Sequence, residues 1–241
     1  MTDDLKPSDR IFCALDTTST DIAVATARNL MGVVGGVKLG LEFYCSAGAD
    51  GFKAVAETGM PIFLDLKFHD IPNTVAGAIR AVAPLAPRIL TIHTQGGPDM
   101  MRRAAETAAE EADRHGVARP WVVGVTLLTS LDNDDLAAMS VSGTTATVVP
   151  TLAGLAQASG LDGIVCSPKE IAMVRSQTAR DFRLVVPGIR PEGSAAGDQK
   201  RVMTPQAAVN AGADVLVIGR PITGADDPIA AAKTIADSLR G

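Results

Sequence analysis

A chain of 241 residues with 22 lysines and arginines against 27 aspartates and glutamates carries a formal charge of −5, and its aromatic residues are six Phe, one Trp and one Tyr. Without a basic run to neutralise phosphates, and with few rings on which bases could stack, it is excluded as a binder of nucleic-acid polymers. Hydrophobic residues make up 46%, which suits one substantial core and argues against disorder.

The start, MTDDLKPSDR, is polar and lacks the apolar stretch of a secretory signal. No run reaches the roughly 20 apolar residues of a membrane span, so a cytoplasmic location without a membrane partner is expected. From residue 11 onward, short β-rich runs alternate with Ala-rich amphipathic stretches. Strands are predicted at 11–16, 34–40, 61–67, 89–94, 122–127, 163–167, 184–188 and 215–219. Helices are predicted at 20–31, 41–58, 71–83, 98–115, 145–159, 168–178, 204–211 and 227–239.

Eight such units in this length leave about 30 residues each, the size of one strand, one helix and two short loops. A doubly wound sheet would more often use fewer strands and open on a GxGxxG turn, which the first unit lacks. The expected architecture is therefore α/β, a single (β/α)8 barrel spanning 1–241 with a short N-terminal extension at 1–9.

A barrel enzyme gathers its chemistry at the C-terminal ends of its strands. There the sequence places Asp16, Lys38, Asp65 with Lys67, His93, Thr126 with Thr129, residues 187–190, and Gly219 with Arg220. The strand N-terminal ends offer no comparable set. Cys13, Cys45 and Cys166 lie far apart in apolar segments and read as small buried hydrophobes in a reducing compartment. His69, His93 and His115 share no ligand-like spacing, so no metal is expected.

The most informative segment is FLDLKFHDIPNT, residues 63–74. Strand side chains alternate, so Phe63, Asp65 and Lys67 share one face while Ile62, Leu64 and Leu66 share the other. The all-apolar set fits the helix-facing side, which points Asp65 and Lys67 into the barrel mouth. The same alternation points Lys38 and Asp16 inward. Four or five charges of alternating sign would then converge, keeping Lys67 protonated. A protonated lysine held in place is a general acid, whereas a Schiff-base lysine needs its pKa lowered. Asp70 is expected to cap the following helix, with Pro72 in its first turn, and His69 to pack or orient. A structural ion-pair network is the plain alternative for the array.

With CALD (13–16), VKLGLEFY (37–44), VTLLTS (125–130), VPGIRP (186–191) and VIGRPIT (217–223), this segment closely resembles the orotidine 5′-phosphate decarboxylase family from about residue 10 to the C-terminus. The resemblance implies cofactor-free removal of CO2 from orotidine 5′-phosphate to give UMP. It implies that Lys67 protonates C6 of the pyrimidine and that Asp65 sits close to the departing carboxylate. Asp16 and Lys38 match ribose contacts, Lys38 also joining the charged network, and Thr129 matches a hydroxyl beside the base. Asp70 and Thr74 match residues that reach the neighbouring site of a homodimer. Arg190, Gln199 and Arg220 match phosphate contacts, with Gly219 at the end of strand eight, and the polar segment 190–201 matches a closing lid.

One departure is TIHTQGG at 91–97, where the family more usually has an alanine after the histidine and a small residue in place of Gln95. It weakens the expectation of a role for strand four. Two other readings stay open. One is a metal-dependent sugar-phosphate decarboxylase or hexulose-phosphate synthase on the same barrel, for which Glu42 is the only further carboxylate on offer and reads better as a helix-start charge. The other is a nucleotide-binding barrel without turnover.

Overall fold

The structure, a computed structural model, describes residues 6–191 and 203–240. Eight parallel strands close into a barrel in chain order: β1 (Ile11–Leu15), β2 (Gly36–Gly40), β3 (Ile62–Phe68), β4 (Ile89–His93), β5 (Trp121–Val125), β6 (Gly163–Val165), β7 (Arg183–Val186) and β8 (Val215–Ile218). Closure is made by β1 on β8, Ile11 opposite Leu216 and Cys13 opposite Ile218.

The period-two pattern produces two separate cores. Ile11, Cys13, Val37, Leu39, Ile62 and Leu64 face outward into the layer shared with the helices. Their neighbours Phe12, Phe63, Ile89, Val123, Val185 and Val215 fill the barrel itself, and the rings of Phe12 and Phe63 meet edge to face at 6.4 Å. Each fully buried side chain of this kind contributes about 1.5–3 kcal/mol. Phe12 takes its space because β2 begins on Gly36, where a Cβ would collide with its ring.

The helices are α1 (Thr20–Asn29), α2 (Leu41–Ala56), α3 (Pro72–Val82), α4 (Pro98–His115), α5 (Asn133–Ala138), α6 (Thr145–Ala158), α7 (Ile171–Arg175), α8 (Pro205–Ala211), α9 (Arg220–Thr223) and α10 (Pro228–Ser238). Local chemistry sets their starts. Ser19 caps α1, Thr204 caps α8 and Asp227 caps α10, each side chain accepting from a first-turn N–H. The helix α5 was not predicted. It is opened by a capping box in which Asp132 and Asp135 satisfy each other's main chain. The helix predicted at 168–178 is shorter, because the Pro168–Glu170 stretch winds as a tight 3-10 turn before α7. In α2 the helical path breaks at Gly48, whose φ of 59° a side chain would resist.

Two expectations are corrected. Cys13 and Cys166 are buried but Cys45 is exposed, because it lies on the face of α2 turned away from the barrel. Burial, helped by Asp16, pushes the Cys13 thiol up to about 12. The strand N-terminal ends are also more polar than expected. Arg119 grips both oxygens of Asp162 at 2.7 and 2.9 Å, and Arg175 pairs with Asp214 while donating to the carbonyls of Gly212, Ala179 and Phe182. The guanidinium carbons of Arg88 and Arg183 lie 4.1 and 3.9 Å from the centroid of the Trp121 ring. The Arg119 and Arg175 pairs hold the loops beneath the barrel and leave those groups bound to each other.

Candidate active site

At the other end of the barrel, β1, β2 and β3 deliver four charges in alternating sign. Lys38 Nζ lies 3.8 Å from Asp16 and 3.6 Å from Asp65, and Lys67 Nζ bonds Asp65 Oδ2 at 2.8 Å. Phe63 sits in the barrel core and Leu64 in the outer one, so the expected facing of β3 is observed. Lys38 and Asp65 are each only 12% exposed at the side chain, while Asp16 is 63% exposed. The Asp16 pair is therefore worth less than about 1 kcal/mol, whereas the inner pairs act where the effective dielectric is lower. Burial alone would push the Asp65 carboxyl up, but the charges of Lys38 and Lys67, with hydrogen bonds from Lys67 and Thr91, outweigh it and hold the group below the usual carboxylate range.

Lys67 reaches this position from an unusual backbone. Its φ is 51°, in the left-handed region that a long side chain rarely adopts, at a cost of order 1–3 kcal/mol. The ladder between β3 and β4 is interrupted here, running Leu64 to Leu90 and resuming only at Phe68 with Ile92. In that gap Thr91 accepts from the Lys67 N–H and donates to Asp65 Oδ1, both at 2.9 Å. Strand four thus supplies a fully buried hydroxyl at the centre of the site, where the atypical 91–97 segment had weakened any such expectation. The available signal was a lone threonine at an inward position of an apolar strand.

His93, also inward on β4, is the second contributor that sequence reasoning left without a role. Its ring lies 5.2 Å from that of His69, its Nδ1 is buried with no hydrogen-bond partner among the described residues, and burial, then the charges of His69 and Lys67, hold its pKa down. A neutral ring beside Lys67 leaves the ammonium as the cation nearest Asp65 on that side.

Asp70 does not cap the following helix as expected. The N-cap of α3 is Ile71, with Pro72 in the first turn as expected, and Asp70 instead accepts from the Ile71 N–H at 2.7 Å. Relieved of capping, its carboxylate is exposed at the mouth, as are Thr74 and Ile71. The array observed within this chain thus comprises Asp16, Lys38, Asp65 and Lys67, with Asp70 at its rim. Thr126 is spent on the Val165 carbonyl at 3.0 Å, while Thr129 lies half-buried in the loop after β5. Glu42 is exposed in the first turn of α2, apart from the array.

Arg190 follows β7, its N–H bonded to Met203 O at 3.0 Å. Burial, and then the charge of Arg220, lowers its pKa; β7 and β8 are paired neighbours in the barrel, so the two cations that follow them stand on the same side of the mouth. Gly219 lies between that side and Asp16: a Cβ there would stand 3.7 Å from Asp16 Oδ2. Gln199 and most of the 190–201 segment lie outside the described residues. Among the described residues no three His, Cys, Asp or Glu side chains gather as metal ligands, and no helix is long and apolar enough to cross a membrane.

Fold and site together define a (β/α)8 barrel whose mouth carries an Asp–Lys array of alternating sign after β1, β2 and β3 and two arginines after β7 and β8. The chain belongs to the orotidine 5′-phosphate decarboxylase / HUMPS family, whose model matches residues 9–235. It is 53% identical over 232 residues to an orotidine 5′-phosphate decarboxylase of Rhodospirillum rubrum, covering 96% of this chain and 94% of the relative. Identity to the enzyme of the same name from Paramagnetospirillum magneticum is 52%, covering 95% and 97%. Among solved structures, orotidine 5′-phosphate decarboxylase from Lactobacillus acidophilus superposes with a TM-score of 0.80 at 34% identity, covering 96% and 99% of the two chains. The structure of that name from Pyrococcus horikoshii superposes at 0.75 with 25% identity, covering 96% and 99%.

Proposed function

We propose that this chain is a carboxy-lyase that converts orotidine 5′-phosphate to UMP and CO2 in de novo pyrimidine biosynthesis, in the cytoplasm and without a metal or organic cofactor. The observation that carries the reading is the hydrogen bond from Lys67 to Asp65 inside an array whose other lysine is already paired. As the C6–carboxylate bond breaks, its electron pair remains on C6 in an orbital the ring cannot delocalise. The ammonium of Lys67, fixed before the reaction begins, stabilises that charge and transfers its proton to C6. The resulting amine regains a proton from solvent.

Asp65 in this reading adjoins the substrate carboxylate, with Asp16 and Lys38 on the ribose hydroxyls and Thr129 beside the base. Arg190, Arg220, Gln199 and the main chain at Gly219 take the phosphate. Two cations that repel each other in the free protein gain most from a dianion placed between them. Phosphate held there supplies binding energy for positioning the base. Asp70 and Thr74, exposed at the rim beside Ile71, complete the neighbouring site in a homodimer.

The test is direct assay of the purified protein with orotidine 5′-phosphate, following CO2 release with and without EDTA. EDTA-insensitive turnover supports the reading. Turnover restored only by a divalent metal favours the sugar-phosphate relatives, and UMP binding with no turnover favours a non-catalytic barrel.

A further inference from the structure

We propose that the Thr91 hydroxyl is a positioning residue for the acid: seated between Asp65 and the main chain of Lys67, it holds the left-handed turn from which Lys67 reaches Asp65. The inference rests on the decarboxylase reading and adds a residue from strand four to the same site.

Between the ladder pairs Leu64–Leu90 and Phe68–Ile92, β3 advances four residues while β4 advances two. Two extra residues must bulge out of β3. Because the excess is even, the facing is preserved: Leu66 and Phe68 still pack on the outer core with Leu64, and Asp65 and Lys67 remain inward. What the bulge removes is a main-chain partner for the Lys67 N–H, and Thr91 replaces it with its side chain at 2.9 Å. A hydroxyl has one hydrogen to give, and this one is given to Asp65 Oδ1.

The two oxygens of Asp65 are thereby assigned different tasks. Oδ2 serves both lysines, Lys67 at 2.8 Å and Lys38 at 3.6 Å, and the bond from Thr91 to Oδ1 fixes the rotation of the carboxylate that presents it to them. Valine has nearly the shape of threonine but no hydroxyl. In its place the Lys67 N–H and Asp65 Oδ1 would both lose their partner inside a buried site, the carboxylate could rotate, and Lys67 would lose the anchor of its strained backbone.

The experiment compares Thr91→Val and Thr91→Ser with the wild type in two ways. For turnover of orotidine 5′-phosphate, Thr91→Val is expected to lower kcat by about 100-fold, the scale of a small misplacement of a reacting group, while KM moves by less than about threefold. Thr91→Ser should recover kcat to within about threefold. Without substrate, the Lys67 amide should exchange its hydrogen at least about tenfold faster in Thr91→Val than in the wild type and stay protected in Thr91→Ser, with amides of the other strands unchanged. Should Thr91→Val fail to fold, Thr91→Ala removes the same hydroxyl and the same comparisons apply. Unchanged Lys67 exchange in the hydroxyl-free variant overturns the proposal, as does a kcat within threefold of the wild type. A wild type that does not turn over orotidine 5′-phosphate would count against the functional reading alone, since the exchange measurement needs no substrate.

Discussion

Asp65 is the residue on which the site turns, because it accepts from Thr91 on one oxygen and faces two lysines with the other. Lys67→Ala should abolish UMP formation while leaving UMP affinity within about tenfold, roughly 1.4 kcal/mol. Residual CO2 release in a clean preparation of that variant would overturn the acid assignment. Asp65 also gives a pH signature with a definite sign. Its carboxyl is held down in the folded protein from an unfolded value of about 3.9, so the folded state binds fewer protons. Its contribution to stability is complete above that value and disappears as the pH falls through the folded pKa. The Tm of the wild type should therefore fall more steeply below about pH 4 than that of Asp65→Asn. At neutral pH the variant should melt lower, because Lys38 and Lys67 lose the charge between them. Parallel Tm curves across that range would contradict the placement of Asp65. At this scale, Asp65 and Lys67 were legible from strand alternation alone, whereas Thr91 was not: its role depends on a bulge that brings a neighbouring strand's side chain to a main-chain N–H.

Among the elements, most helices that announced themselves by composition formed close to the bounds read, the 168–178 segment excepted, and α5, which depends on a short polar box, did not stand out. The start of α10 on Asp227 follows from sequence, but α5 needs Asp132 and Asp135 to satisfy each other. The start of α3 shows the same limit, since Pro72 was placed correctly while capping by Asp70 was not. Proline constrains the chain wherever it stands, but a carboxylate caps only if the backbone turns toward it. The base of the barrel carries a further element-scale prediction. Arg175 ties the end of α7 to the turn at 179–182 and to the start of β8 through three carbonyls and Asp214. Arg175→Ala should cost about 3–5 kcal/mol in unfolding free energy, read from the urea midpoint, with kcat at low temperature unchanged because the lesion lies at the opposite end of the strands. A loss of turnover without a loss of stability would show that the two ends are coupled.

For the whole molecule, the barrel converts a chain of net charge −5 into one whose mouth has a cationic side, Arg190 with Arg220, and an alternating array. In the proposed homodimer, mixing Lys67→Ala with Asp70→Ala subunits should restore activity. Each mixed dimer holds one site with both residues intact, so free exchange of an equal mixture should return about a quarter of the wild-type rate. A mixture that stays inactive after exchange is demonstrated would remove Asp70 from the neighbouring site.

The sequence by itself determined the strand count, the barrel and the inward facing of Asp65, Lys67 and Lys38, because alternation and the length of each βα unit are local properties that survive without knowledge of neighbours. It also determined family membership through motifs at the ends of six strands. Only the tertiary structure decided that Thr91 stands between Asp65 and the Lys67 main chain, that Asp70 is free of its helix, and that Arg190 and Arg220 share one side of the mouth. The first arises from the interrupted register of β3 on β4 and the last from the pairing of β7 with β8, which bring together residues far apart in the chain; the second depends on the backbone path into α3, which composition does not record.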